Sequence, residues 1–239
     1  MPKIFLYTTW NRVISNFTDP TDNAVREVYD NLIEIYSAED RYHHNLKHIE
    51  HMITVLMELF TIYKYTQEDQ NACILAAFFH DYIYKIKKPN DPQVYSDEEL
   101  SAEHAIKSLN RIIKNSPDFI EKVANLIRLT HSHKPNLAFD IDHTLQEVFI
   151  DSDMAILGAD DFRYEQYSKG IIEEYQDVDN ETFISGRKNF LMKLMKEKAI
   201  FLTEYMNQLY NDQAHMNIRT ELMALDRWYV EILTNTEAT

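Results

Sequence analysis

The stretch that decides the fold is ACILAAFFHD, residues 72–81. Its first eight residues are apolar, and a helix of that composition is buried on most of its surface. The last two, His80 and Asp81, are ionisable. Burying an imidazole beside a carboxylate is costly unless a hydrogen-bond network or a cation compensates them. The stretch therefore predicts a buried helix that ends at a polar site.

The composition of the whole chain favours helices around this one. Its 239 residues include only 3 glycines and 6 prolines, fewer than the turns of an all-β or α/β chain of this length require. Leu, Glu, Lys, Ala, Met and Gln, which favour helix, are plentiful. We expect an all-α fold in a single domain over residues 1–239, with the core that carries the site at about 28–160 and additional C-terminal helices at about 161–233.

Apolar residues recur at helical spacing along much of the chain. The predicted helices cover about residues 22–36, 46–65, 68–84, 97–114, 117–130, 144–158, 164–175, 183–209 and 212–233. Ser96 is a predicted N-cap, and Pro117 suits the first turn of its helix. Residues 85–96 and 131–142, which contain proline and asparagine, are predicted loops.

The net charge and the lengths of the hydrophobic runs limit which partners and which cellular compartment are expected. A net charge of -15 works against binding of nucleic acid polymers or anionic membranes. A small phosphorylated ligand remains compatible, because a metal ion can supply local positive charge. The single cysteine, Cys73, suits the core. Because one cysteine cannot form an internal disulfide, a reducing compartment is expected. Residues 4–7 are too short for a secretory segment, and no run is long enough to span a membrane, which predicts a cytoplasmic protein.

A second group of ionisable residues precedes the apolar stretch. The segment RYHHNLKHIEH, residues 41–51, holds four of the ten histidines. At 100° per residue, His44, His48 and His51 would share one helix face, while His43 points elsewhere. Together with the His-Asp pair and a later Asp-x-Asp, this face would supply nitrogen and oxygen ligands for a divalent metal ion. For each histidine, ordinary polar packing is the alternative interpretation.

The order His48, His80-Asp81, Asp153 resembles the HD superfamily of metal-dependent phosphohydrolases, and most closely its bacterial subgroup of predicted metal-dependent HD phosphohydrolases. The similar blocks are YHHNLKHI (42–49), AFFHDYIY (77–84), DEELSA (97–102), LIRLTHSH (126–133), FIDSDMAILG (149–158), GR (186–187) and NIRTEL (217–222). The joint pattern covers about residues 28–222. Asp97 stands where the family usually has asparagine, and His215 where it usually has arginine.

The resemblance implies an HD-domain-like helical bundle in which His48, His80, Asp81 and Asp153 hold the metal. Asp151 is the rival of Asp153; on a helix the two diverge by about 200°, so they do not both face one ion. The family pattern favours Asp153, and a solvated or capping carboxylate is the alternative for Asp151. Such ligands suit Mn, Fe, Ni, Zn or Mg, with one ion expected and a second left open.

The resemblance also implies hydrolysis of a phosphoester, with nucleotides among the candidates, by attack of metal-bound water. Asp81 would orient that water as well as bind the ion. His44 is similar to the histidine that protonates the leaving oxygen in the related cyclic nucleotide phosphodiesterases. His133 would contact the phosphate or a second metal. His131 and His104 are weaker candidates for a second ion.

Three further points stay open at this level. Lys85, Lys87 and Lys88 would attract a phosphate to the site, or are a solvated charge run. The function has two alternatives, an HD-type di-iron oxygenase and a metal-braced nucleotide-binding regulatory module with little turnover. Whether the chain forms a homodimer is not decided by the sequence.

Overall fold

The computed structural model describes residues 2–86 and 95–236. Within these residues all regular secondary structure is helical and there are no strands, which confirms the all-α prediction. The helices are α1 Pro2–Ile14, α2 Asn23–Ile35, α3 Leu46–Ile62, α4 Gln67–Phe79, α5 Asp97–Ile112, α6 Pro117–Leu129, α7 His143–Met154, a 3-10 helix Ala155–Gly158, α8 Asp161–Glu174, α9 Asn180–Lys196 and α10 Glu204–Thr236. No helix in the described ranges combines the length and apolarity needed to cross a bilayer.

The chain divides into two compact units, Met1–Asp153 and Met154–Thr239. The single domain expected from the sequence stays a prediction. Lys87, Lys88 and most of the predicted loop 85–96 lie outside the described residues.

Helix α4 forms the core of the first unit. Every residue from Asn71 to Phe79 is buried, as the apolar stretch predicted. Helices α1, α3, α5 and α6 pack around it. Because four helices cover its surface, α4 has no polar face, and its C-terminal end is fixed in position by the surrounding packing.

Helix α1 was not predicted from the sequence. It buries Leu6, Trp10, Val13 and Ile14, a stripe at helical spacing. The Trp10 ring packs edge-on against Phe78 of α4, with 5.3 Å between ring centroids. The apolar residues of this segment are therefore part of the core.

Helix α4 ends earlier than predicted, at Phe79 rather than near residue 84. His80 is its C-cap residue, and the His80 N–H donates to the Ala76 carbonyl. The next residues leave the helix because side chains from elsewhere bind their backbone. Arg41 donates to the carbonyls of Asp81 (2.7 Å) and Tyr82 (2.9 Å). Asp81 consequently lies in a turn beyond the helix.

In the second unit, the single helix predicted over residues 183–209 is two helices, α9 and α10. The intervening segment turns inward: Phe201 and Thr203 are buried, and the Ile200 N–H donates to Asn211 Oδ1 at 2.8 Å. Burial of this segment overrides its helical propensity. Met192 of α9 is 41% exposed.

The 3-10 helix packs closely against α10. Asn217 Nδ2 donates to the carbonyls of Leu157 and Ala159, each at 2.8 Å. A Cβ atom at Gly158 would lie 2.6 Å from Cβ of Tyr210, a separation that real side chains do not tolerate. Glycine is therefore required at this position for the approach of the two helices.

Candidate metal centre

Three helices of the first unit bring candidate ligands to one place. His48 lies in the first turn of α3, His80 caps α4, and Asp153 lies in the last turn of α7. The start of α3 is fixed by Asn45, whose side chain accepts a hydrogen bond from the Lys47 N–H. Since each ligand sits at a helix end held by packing or capping, its side chain is well positioned.

The donor atoms of these three residues converge. His48 Nε2 and His80 Nε2 are 3.0 Å apart, and Asp153 Oδ1 lies 3.1 Å from the first and 3.4 Å from the second. Among the described residues they form a group that could hold a metal ion. Both imidazoles are buried, whereas the Asp153 side chain is 11% exposed.

Asp81 adds a second carboxylate to the group. Its Oδ2 lies 2.8 Å from His80 Nε2 and 3.6 Å from His48 Nε2. The side chain is 17% exposed, the highest value of the four. We call His48, His80, Asp81 and Asp153 the metal cluster. Its carboxylates lie on the more accessible side and its imidazoles on the buried side.

The spacing of these atoms fits one ion. Ligands bonded at about 2.0–2.1 Å lie about 3.0 Å apart in adjacent octahedral positions and about 3.4 Å apart in a tetrahedron, from ordinary metal–nitrogen and metal–oxygen distances. The separations of the imidazole nitrogens from each other and from the nearest carboxylate oxygens range from 2.8 to 3.6 Å. A mixed imidazole and carboxylate set is also suitable chemistry for a divalent cation.

The hydrogen bonds of His80 show why the cluster requires positive charge. Its Nδ1 lies 3.0 Å from the Ala77 carbonyl, which can only accept, so Nδ1 carries a proton. In the neutral ring, Nε2 then presents a lone pair to the oxygens of Asp81 and Asp153. Acceptors this close repel one another. Either a proton on Nε2 or a metal ion must lie between them.

The pKa values follow from this arrangement. Burial acts to lower the pKa of His80, but the charges of Asp81 and Asp153 outweigh it and raise that pKa well above the ordinary value. Burial acts to raise the pKa of both carboxyl groups, but the positive charge of His80 outweighs it and lowers the pKa of Asp81 and of Asp153 below the ordinary value. The two carboxylates and a protonated His80 therefore stabilise one another.

The structure places His44 differently from the helical-face prediction. Helix α3 begins at Leu46, so His44 precedes it and does not share its face. Its ring stacks on Tyr84 at 4.0 Å between centroids and lies 5.9 Å from the His48 ring. His44 is nevertheless next to the cluster, as a neighbour of a ligand.

His133 also reaches the cluster, through Asp153. It follows α6 in the left-handed region with φ 50°, and its Nε2 lies 3.3 Å from Asp153 Oδ2. Asp153 thus uses one oxygen toward the imidazole ligands and the other toward His133. This contact lowers the pKa of Asp153 and orients its carboxylate.

Several other candidates lie outside the three-residue group. His131 is exposed, with Nδ1 3.1 Å from Glu98 Oε2. The His104 ring stacks on Tyr82 at 3.6 Å between centroids. Asp151 is fully buried, so its alternative interpretation as a solvated carboxylate is wrong. The structure thus places Asp153, and not Asp151, beside the imidazoles.

Two residues next to the cluster received no role in the sequence interpretation. Arg41 donates to the carbonyls of His44 (3.1 Å) and of Asp81 and Tyr82, and so joins the segment before α3 to the turn after α4. Tyr36, the C-cap residue of α2, lies under the Arg41 guanidinium, 5.0 Å from its ring centroid. The only sequence signal for Arg41 was its position beside the histidine-rich segment.

Comparisons of the chain with protein-family models, with curated proteins and with solved structures find no match. The resemblance to the HD superfamily therefore stays a prediction carried by the spacing of its motifs.

Proposed function

We propose that this protein is a metal-dependent phosphohydrolase of the HD type that acts on a small phosphoester such as a nucleotide. The observation that carries the proposal is the convergence of the His48 and His80 imidazoles with the Asp153 carboxylate in one group that could hold an ion. A carboxylate oxygen of Asp81 lies 2.8 Å from His80 Nε2 beside this group. The motif order agrees with it, because His48, His80-Asp81 and Asp153 occur in the HD order.

In this proposal His48, His80, Asp81 and Asp153 hold the ion. When bound, a divalent ion lowers the pKa of a coordinated water and polarises a phosphoryl oxygen. The imidazoles would hold the ion at the buried side of the site, and substrate would reach it from the side of the more exposed carboxylates. The Ala77 carbonyl keeps His80 in the tautomer that offers Nε2.

In this proposal the two neighbouring histidines and Asp81 have different roles. His44, stacked on Tyr84, is the proposed proton donor to the leaving oxygen. His133 orients Asp153 through its second oxygen. Asp81, the most exposed ligand, orients the attacking water while it binds the ion.

The test is elemental analysis of protein purified without added metal, followed by assays on a phosphoester panel with Mn, Mg, Ni, Fe or Zn. Wild type is compared with Asp81→Asn and with Asp118→Asn, the same chemical change in the exposed first turn of α6. We expect about one equivalent of metal and metal-dependent hydrolysis, both strongly reduced in Asp81→Asn and retained in Asp118→Asn.

Other results would assign a different function. Two equivalents of iron with an iron absorption spectrum would favour the di-iron oxygenase. Metal and nucleotide binding without turnover would favour the regulatory module. Absence of bound metal after reconstitution with each ion would reject the proposal.

A further inference from the structure

The Tyr36 side chain carries a buried hydroxyl group that lacks an ordinary partner. The residue is 2% exposed, and its Oη makes no hydrogen bond of normal geometry with the described residues. The Asp81 backbone approaches this hydroxyl and acts to lower its pKa. A buried hydroxyl without a hydrogen bond destabilises the folded state, and buried polar side chains are normally paired. Where such a hydroxyl also lies beside a group that could hold a metal ion, it is a candidate to bond an oxygen atom that enters the site with the ion.

The surroundings of this hydroxyl are those of the metal cluster. Burial, followed by the charge of Asp81 and, more weakly, that of Asp153, raises the pKa of Tyr36 well above its ordinary value. The phenol O–H of a tyrosine can donate one hydrogen bond. Arg41 lies over its ring and donates to the Asp81 carbonyl, so a direct chain of contacts joins Tyr36 to a proposed ligand.

Two other buried atoms share this property, and they provide a comparison. Within the part of the chain that the structure describes, Trp10 Nε1 and Tyr65 Oη also lack partners. Burial raises the pKa of Tyr65, and the groups that act on its hydroxyl, Asp142 first among them, do not belong to the metal cluster. Tyr65 is thus a chemically matched tyrosine in the same unit whose hydroxyl faces different groups.

We propose that the Tyr36 hydroxyl donates a hydrogen bond to an oxygen atom, of water or of a phosphoryl group, that enters the site together with the metal ion. This inference rests on the proposed function. It assigns Tyr36 as a ligand-binding residue that neither the motifs nor the helical pattern indicated.

The proposal predicts different effects of one substitution on the stability of the metal-free protein and on the ligand affinity of the metal-loaded protein. In the metal-free protein, Tyr36→Phe removes an unpaired buried hydroxyl, so the unfolding temperature should be unchanged or higher. In the loaded protein the same change removes a hydrogen bond, so the affinity should fall by about three- to tenfold, the usual net value of one such bond. A tyrosine that only packs would not produce both effects.

The experiment uses the full chain with Mn²⁺ as probe, alone and with inorganic phosphate. Calorimetry gives the dissociation constant, and thermal unfolding with chelator gives the metal-free stability, for wild type, Tyr36→Phe and Tyr65→Phe. We expect weaker binding only in Tyr36→Phe and no loss of metal-free stability in either variant. A loss with Mn²⁺ alone indicates water as the acceptor, and a loss only with phosphate indicates the phosphoryl oxygen.

Equal Mn²⁺ and phosphate binding by wild type and Tyr36→Phe would overturn the inference while the proposed function stands. A lower metal-free unfolding temperature for Tyr36→Phe would also overturn it, because the hydroxyl would then have a partner within the protein. If wild type binds no Mn²⁺, both the inference and the proposed function fail.

Discussion

A buried ionic cluster occurs in each unit of the protein, and the two clusters differ in how their charges are balanced. In the second unit, Tyr164 Oη donates to Glu221 Oε2 at 2.5 Å, and Arg187 donates to both Glu221 oxygens at 2.8 and 3.2 Å. The Arg187 guanidinium also lies over the rings of Tyr167 and Phe190. We call Tyr164, Arg187 and Glu221 the clasp. Its donors and acceptors are matched within the protein.

In the metal cluster of the first unit, by contrast, the charges are not balanced by groups of the protein. It consists of imidazole nitrogens and carboxylate oxygens that face one another, and it needs a proton or a metal ion for balance. The comparison contrasts a structural ion pair, whose charges are satisfied within the protein, with a group of side chains that could hold a metal ion.

The largest expected effect is on the clasp. Arg187→Met leaves Glu221 buried without its counter-charge, which should destabilise the protein by about 3–5 kcal/mol with or without metal. The matched control is Lys188→Met, which removes the more exposed pair with Asp226 and should cost about 1 kcal/mol or less. Urea unfolding of both variants checks this. Similar losses for the two would mean that the clasp is not a structural ion pair.

The next effect concerns the metal cluster. At a metal concentration 100 times the dissociation constant, wild type should gain about 2.7 kcal/mol in the free energy of unfolding. Asp153→Asn should lose most of that gain, because a carboxylate facing both imidazoles is removed. The measurement is urea unfolding with metal and with chelator. An undiminished gain in the variant would remove Asp153 from the site.

A smaller effect is expected at His133. Because it orients Asp153 without belonging to the three-residue group, His133→Ala should weaken metal binding by about 10- to 100-fold rather than abolish it. Calorimetric titration measures the change. His131→Ala is the control, since that exposed ring contacts Glu98 instead, and equal losses in the two variants would contradict the assignment.

The smallest effect is a pH dependence that separates the two clusters. In the metal-free protein the pKa of His80 is raised, so its stabilising contribution is fully present below about pH 6.5 and is lost as pH rises through the raised pKa. Each unit of that shift corresponds to about 1.4 kcal/mol. Urea unfolding with chelator from pH 6 to 9 should show this fall in wild type.

The clasp should contribute none of that change, because the pKa values of Tyr164 and Arg187 are raised above their ordinary values and lie beyond this range. Saturating metal should flatten the profile, since the ion replaces the proton on His80. A metal-free profile that is flat, or that rises with pH, would contradict the predicted cation requirement.

The sequence was sufficient for features that depend on local spacing. The all-α class followed from composition, and the Ser96 cap and the Pro117 first turn are present as predicted. Capping and amphipathic spacing act over a few residues, so they can be recognised without the fold. Helix α1 and the break before α10 were missed, because burial of Trp10 and Phe201 depends on partners far along the chain.

For the site, the sequence by itself determined which residue types occur and in what order: His48, His80-Asp81 and the pair of aspartates near the end of α7. The family resemblance favoured Asp153 over Asp151, but only the tertiary structure decided that its carboxylate meets both imidazoles and that Tyr36 is buried close to Asp81. The physical reason is that donor atoms about 3 Å apart must come from helices whose relative positions are set by packing. No local pattern encodes that distance.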